Sequence, residues 1–453
     1  MARQKKTIEP GTTDLAAHSL AMARQQFMLT LNALEEFLEV LTPHVEELDS
    51  SKDQKLADLF ENEFGHLTPD ELKAVSRDLA KAGAVVGEVA EQVKPSSRRR
   101  KSKQTTTTPI GRKFSIHPES ARLLMRAADH FMAPPRLPIL LNALLPMAIG
   151  AFEVLVGRLA GVYYVKRPGV LDASNKEFSL DDLLQFDSIE DARKDAIERR
   201  VEALLIQGLD EWSKWFSRKG LDINLSQLSV NWNETVELFQ RRHIIVHNAG
   251  RVSKRYLDRL SPLYSSSDLP ALGTEPPIST NYVQAALDNV LVLGHLTCAF
   301  MERNLFGKKE GGDIGGDLHS LEYKLMRAGK WQPAKKVCQV AQTIKEVPEA
   351  TRLKSRCGEW LCDKNLSGLE AVQASITDWD TSTLGLEYKA IKSVLLDRHD
   401  DAIDLLVIAL NSGQVHYGEL RDSPFFRNLV GDVRLRRNRS KTAHESPSDP
   451  EGN

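Results

Sequence analysis

The chain has 453 residues, more than one ordinary domain of about 100–200 residues, so two or three units are expected. A formal net charge of −2 excludes coating of nucleic acid through bulk charge, and any RNA contact has to be local. Four cysteines in so long a chain exclude a disulfide framework and read as reduced thiols of a cytoplasmic protein.

The start, MARQKKTIEP, is basic but is not followed by the apolar segment of a secretory leader. A first amphipathic helix is expected over 13–42, where Phe27, Leu31, Leu34, Leu38 and Leu41 alternate four and three residues apart and Pro43 helps to end it. The stripe is too short for a coiled coil and reads as bundle packing. Two more helices are expected over 53–64 and 69–93, the second N-capped by Thr68, which makes 1–94 an N-terminal helical region. Between Lys94 and Lys113 eight Lys or Arg residues occur without an acid, beside Pro95 and the run Thr105 to Thr108. Such a composition cannot bury a core, and 95–117 is read as a basic flexible linker.

The longest apolar stretch, 137–156, contains Asn142, Pro146 and Glu153 and is followed by Arg158. A buried core helix is expected there, with no membrane association. Helical patterning fills 118–307, where Trp212, Trp215 and Phe216 have helical spacing and read as core, although such rings can also stack on bases. The sequence GKKEGGDIGGD then sets five glycines in eleven residues, and a hinge is expected over 308–316. It is no phosphate-binding loop, because Lys309 stands where Ser or Thr would be needed.

Beyond the hinge small residues recur at an interval of 34: Ala334, Gly368 and Ala402 in one column, Ala341, Ser375 and Ala409 in another. Larger apolar residues, Cys338, Val372 and Leu406, recur at the same interval. Small side chains permit close helix crossings, so 317–430 is expected to stack helix pairs, and the segments around these columns resemble tetratricopeptide repeats. The first helix of the middle repeat is out of register, with Cys357, Trp360 and Leu361 as its apolar set. Cys357 and Cys362 have no matching second pair and read as buried thiols. The basic residues Arg434, Arg436, Arg437, Arg439 and Lys441 open an expected disordered tail, 431–453.

The segment VELFQRRHIIVHNAGRVSKRYLDRL, 236–260, carries the chemistry. Arg242 precedes His247 by five residues, with the polar His243 directly after the arginine. A 2′-hydroxyl attacking its neighbouring phosphate needs proton transfer and charge neutralisation; imidazole titrates near neutrality, and guanidinium stays charged and binds phosphate with a forked donor. His247 is therefore the candidate acid or base and Arg242 the candidate phosphate clamp. Five residues turn an ideal helix by about 140°, so the long Arg242 side chain or a distorted turn must bring the two together. His243 shares a face with His247 and is placed to orient the imidazole or the RNA. These two histidines also have the spacing of a zincin pair, but Ile244 stands where its glutamate would be.

This R-x4-H arrangement, with the preceding FSLDDLLQFDSIEDARKDAIERRVEALLIQGLDEWSKWF and NWNETVELFQ, resembles the HEPN superfamily, specifically its bacterial RiboL-PSP/MAE-like branch, over 118–307. The resemblance implies an all-α antiparallel bundle that dimerises to form one composite cleft. It also implies RNA cleavage without a metal or other cofactor, leaving 2′,3′-cyclic phosphate and 5′-hydroxyl ends. By helix order it adds Glu153, which is costly to bury without a partner and is expected to pair with Arg242 or Arg241. Arg241 and Asn248 are candidate RNA contacts. Proteins of this kind act in bacterial defence or toxin-like stress responses, some held off by an antitoxin chain, and the repeats are expected to bind a protein partner. The alternative is a non-catalytic dimeric scaffold that binds nucleotide or RNA and assembles partners through its repeats.

Overall fold

The computed structural model describes residues 12–51, 134–172, 183–310 and 313–442, with isolated positions between 68 and 77. The helices expected over 53–64 and 69–93, the basic linker and the last part of the tail lie outside the described residues. Every regular element among the described residues is a helix, as the all-α expectation required. Two compact units are present, one of residues 1–36 with 144–453 and one of 37–143.

Helix α1 (Thr12–Ser50) does not end at Pro43 but continues for two turns beyond it. Proline removes one N–H from the ladder, and the buried Thr42 hydroxyl donates to the Leu38 carbonyl at 2.5 Å in the same turn. The buried stripe correspondingly runs from Ala16 through Leu20, Phe27, Leu31 and Leu34 to Leu38 and Thr42, whereas Leu41, expected on it, is exposed. In the 37–143 unit, the Asp49 carboxylate accepts from the backbone amides of Arg136 (2.8 Å) and Leu137 (3.1 Å). It thereby occupies the positive N-terminal end of α2 (Arg136–Lys166).

The larger unit opens with a helical bundle. Its members are α1 up to Glu36, α2 from Leu144, α3 (Ile189–Leu205), α4 (Leu209–Phe216), α5 (Trp232–His247), α6 (Lys254–Leu260) and α7 (Thr280–Glu310). An aromatic knot joins them: Phe152 of α2 lies 6.5 Å from Phe27, 6.3 Å from Trp212 and 6.2 Å from Phe239, measured between ring centroids. Trp212, Trp215 and Phe216 are buried, and the Trp212 indole donates to the Leu204 carbonyl at 2.8 Å, so these rings are core. Gly294 lets α7 approach the knot; a Cβ there would sit 2.3 Å from the buried Phe27 ring. The first part of α1, read in the sequence as belonging to a separate N-terminal region, is tied to the bundle by charge as well. Arg24 pairs with Asp317 and, at 3.4 Å, with Glu302, and Glu35 pairs with Lys330 at 2.5 Å.

By length and composition α2 and the Thr280–Gly307 part of α7 would suffice to cross a membrane. In the bundle, however, α2 buries Leu145, Ile149, Phe152, Leu155, Val156 and Leu159, which fits the expected core helix. On α7, His295 is buried with neither ring nitrogen hydrogen-bonded among the described residues. Burial, with the charges of Arg24 and Lys324 outweighing Asp317, pulls its pKa down to about 4. Above pH 6.5 the ring is neutral in both the folded and the unfolded chain. As pH falls from 6.5 toward 4 only the unfolded chain gains a proton, so stability is lost, by about 3 kcal/mol near pH 4. Urea titrations at several pH values should show that His295→Leu removes this component of the acid slope; parallel slopes for the two proteins would rule it out.

After α7, broken at Gly307 (φ +66°), the expected hinge is partly helical: Gly315 and Gly316 form the first turn of α8 (Ile314–Arg327) beside Asp313. Helix α8 pairs with α9 (Trp331–Thr343), and α11 (Leu386–Leu395) with α12 (His399–Asn411). Ala334, Ala341, Ala402 and Ala409 are fully buried in these pairs, as are Cys338 and Leu406. Val372 is buried as well, but the small residues of the middle repeat depart from expectation. Helix α10 (Glu349–Ser367) is so long that Gly368 becomes its C-cap at φ +88°, and Ser375 lies exposed in the short helix Gln373–Asp378. The small residue at the crossing of α10 is instead Gly358, whose added Cβ would lie 3.0 Å from Cys338 Sγ. Two helix pairs thus flank one long helix where three equal repeats were expected. All four cysteines are free and buried, and burial pushes the Cys298 and Cys357 thiols up to about 12.

The expected disordered tail also begins with a helix, α13 (Val433–Thr442), whose Leu435 is buried. Its Arg434 reaches Asp400 (2.7 Å) and Asp404 (3.2 Å) of α12, acids that offset its charge.

Candidate active site

Helix α5 begins where the Asn231 side-chain oxygen accepts from the amides of Asn233 and Glu234. A buried network fixes this end: Asn289 of α7 donates to Thr235 Oγ1 at 2.9 Å, and Ser229 and Thr235 hydroxyls lie 2.7 Å apart. The other end closes directly after His247, where the amides of Asn248 and Gly250 both donate to the Ile244 carbonyl. Ala249 (φ +49°) and Gly250 (φ +75°) take left-handed conformations there, so HNAG is a helix stop. Leu238 and Ile244 face the core, and Val246 is half exposed.

One edge of α5 is structural. Glu237 accepts from Arg241 Nε (2.9 Å), from the Tyr256 hydroxyl (2.6 Å) and from the Tyr282 hydroxyl, which ties α5 to α6 and α7. Arg241 also donates to the Pro276 carbonyl at 3.0 Å and stacks 5.1 Å from the Tyr282 ring. Burial pulls the guanidinium pKa down, but the Glu237 charge and the two tyrosines outweigh it and the net direction is up. Burial, reinforced by Glu237, raises both tyrosines and keeps them phenolic. Arg241 is thus buried and engaged on this edge, away from the other candidates. Asn248 is exposed and donates to the carbonyl of Arg251 within its own turn, so it too stands apart from them.

The other edge of α5 lines a cleft of 580 Å³ with Glu153, Arg242, His243 and His247 on its walls. Glu153 Oε2 accepts from Arg242 Nη2 at 3.2 Å, both side chains being about one third exposed. Between the two partners expected for Glu153, the fold selects Arg242, because Phe152 locked in the aromatic knot turns the next residue toward that edge. Arg242 Nε is buried and has no hydrogen-bond acceptor among the described residues. The His243 and His247 rings lie 4.9 Å apart. Burial first, then the charges of Arg255, His247 and Arg242, lowers the His243 pKa and favours its neutral imidazole. Arg242 and His247 are a poor match for one helix face, yet both reach this cleft, with His243 between them in sequence.

Five other polar residues of the cleft were not marked by the sequence: Gln207, Asp210, Gln240, Arg255 and Arg259. Arg255 and Arg259 stand four apart on α6, a spacing readable in SKRYLDRL, but only the packing of α6 beside α5 turns them into the same cleft. Arg259 pairs with Asp210, the second residue of α4. Arg255 is exposed. Protein-family models, curated proteins and solved structures were compared with the chain, and none matches.

Proposed function

We propose that the protein is a metal-independent endoribonuclease of the HEPN type, acting as a cytoplasmic homodimer in bacterial defence or a toxin-like stress response. The observation that carries this reading is the meeting of Glu153, Arg242, His243 and His247, from two helices, on one open cleft. In the proposed reaction the 2′-hydroxyl gives its proton to an imidazole and attacks the adjacent phosphorus. The O2′–P bond forms, the P–O5′ bond breaks, and the departing 5′-oxygen takes a proton, leaving a cyclic phosphate and a 5′-hydroxyl. His247 moves the proton, Arg242 neutralises charge on the phosphate, and Glu153 holds the guanidinium in place until substrate arrives. His243, held neutral, orients the ring of His247. The helix pairs beyond α7 are proposed to carry a protein partner.

One observation favours a second reading, a dimeric scaffold that binds RNA or nucleotide without cleaving it: the carboxylate of Glu153 already occupies Arg242. Purified protein incubated with total RNA in EDTA separates the two. Cleavage to products ending in 2′,3′-cyclic phosphate is expected, and RNA that is bound but intact would establish the scaffold.

A further inference from the structure

Three arginines, Arg242, Arg255 and Arg259, line the cleft against two carboxylates, Glu153 and Asp210. Each carboxylate is matched to an arginine, Glu153 to Arg242 and Asp210 to Arg259, so two of the guanidiniums are already oriented. Arg255 has no carboxylate partner among the described residues and is exposed on the same wall as His243. It is the cation that leaves this cleft with a net positive charge in a chain of net charge −2. Four residues apart on a helix, Arg255 and Arg259 stand with their Cβ atoms about 5–6 Å from one another, close enough for both to reach one phosphate group. Arg242 approaches the cleft from a different helix, α5.

We infer that Arg255 and Arg259 form a second phosphate subsite that holds the backbone of single-stranded RNA next to the linkage bound by Arg242 and His247. The inference rests on the proposed ribonuclease reading for the identity of the first subsite. Single-stranded RNA is the form that fits, because attack by a 2′-oxygen in line with the departing 5′-oxygen requires a linkage free to leave A-form geometry, and single strands are what proteins splay out to read. Arg255 supplies charge to this subsite, while Arg259, held by Asp210, supplies a fixed donor. Both act on binding and register and neither touches the reacting atoms, so they are positioning residues. A ligand with a single phosphate would fill only the first subsite.

The test uses the full chain and a short 2′-O-methylated oligoribonucleotide, which cannot be cleaved, with Kd measured over a series of salt concentrations. Arg255→Ala is expected to weaken binding about tenfold, the loss of one charge-assisted contact. It should also reduce the slope of log Kd against log salt by about 0.7, the share of one phosphate on a single strand. Arg255→Lys should restore the slope, because the charge returns. A nucleoside 3′-monophosphate should bind wild type and Arg255→Ala equally. Since Arg255 is exposed, thermal melting should be unchanged, which removes misfolding as the cause. An unaltered slope for Arg255→Ala, an equal loss of monophosphate binding, or no detectable binding of the oligonucleotide by wild type would each overturn the subsite. Because this RNA cannot react, a protein that shows the slope change but leaves ordinary RNA intact would overturn the ribonuclease reading and keep the subsite.

Discussion

His247→Ala and Arg242→Ala should each lower the rate of RNA cleavage about a thousandfold while leaving thermal melting within a few degrees of wild type. The size follows from the proposed roles: a positioned proton-transfer group and a fixed charge opposite a developing one each contribute roughly 10²–10⁴ in rate. The indifference of the fold follows from position. His247 is the last residue of α5 and exposed, and Arg242 is partly exposed with Glu153 as its ion-pair partner, so neither fills core volume. His243→Ala should be milder, since water can take over part of an orienting role. Glu153→Gln keeps the shape of the side chain and should lower the rate through Arg242 without a large change in melting. Full activity in His247→Ala, with RNA products still ending in cyclic phosphate, would remove this histidine from the mechanism.

Arg241→Ala should behave in the opposite way, with a loss of about 3 kcal/mol in stability and little change in cleavage per folded molecule. Arg241 and Glu237 have side chains only 11% and 14% exposed, and removing one member of such a pair leaves the other charge buried with less compensation. The two tyrosine donors to Glu237 remain, which keeps the loss at the lower end of the range for a broken buried pair. Denaturant titration would measure the first effect and single-turnover cleavage below the unfolding transition the second. Unchanged stability combined with lost RNA binding would return Arg241 to the substrate, the role that its place beside Arg242 in the sequence suggests.

That neighbouring pair shows where reading the sequence succeeds and where it stops. Helices advance by 100° per residue, so Arg241 and Arg242 point to different edges, but only the arrival of Tyr256, Tyr282 and Pro276 on one side and Glu153 on the other decides which is structural and which is available. The same limit applies to α6. Its arginines are plain in SKRYLDRL, yet their membership of the cleft depends on the angle at which α6 returns against α5, set through the Glu237–Tyr256 contact. In the C-terminal part, the 34-residue columns locate four buried alanines correctly but place Gly368 at a crossing, where the fold uses it as a helix end. A small residue serves either purpose, and spacing does not distinguish them.

What the sequence determined by itself is the local and periodic part of this protein: an all-helical chain, the core face of α2 with Glu153 interrupting it, the apolar stripe of α1 and the aromatic residues of the core. These follow from side-chain period, caps and breakers, which act over one or two turns. Tertiary structure alone decided that α1 passes Pro43, that its first part joins the bundle, that Glu153 selects Arg242, and that Arg255 and Arg259 share the cleft. Each of these depends on contacts between residues far apart in the chain. A proline costs a helix one hydrogen bond, and a charged side chain can point anywhere on its own helix edge; the surface that packs against it supplies the energy that settles the outcome.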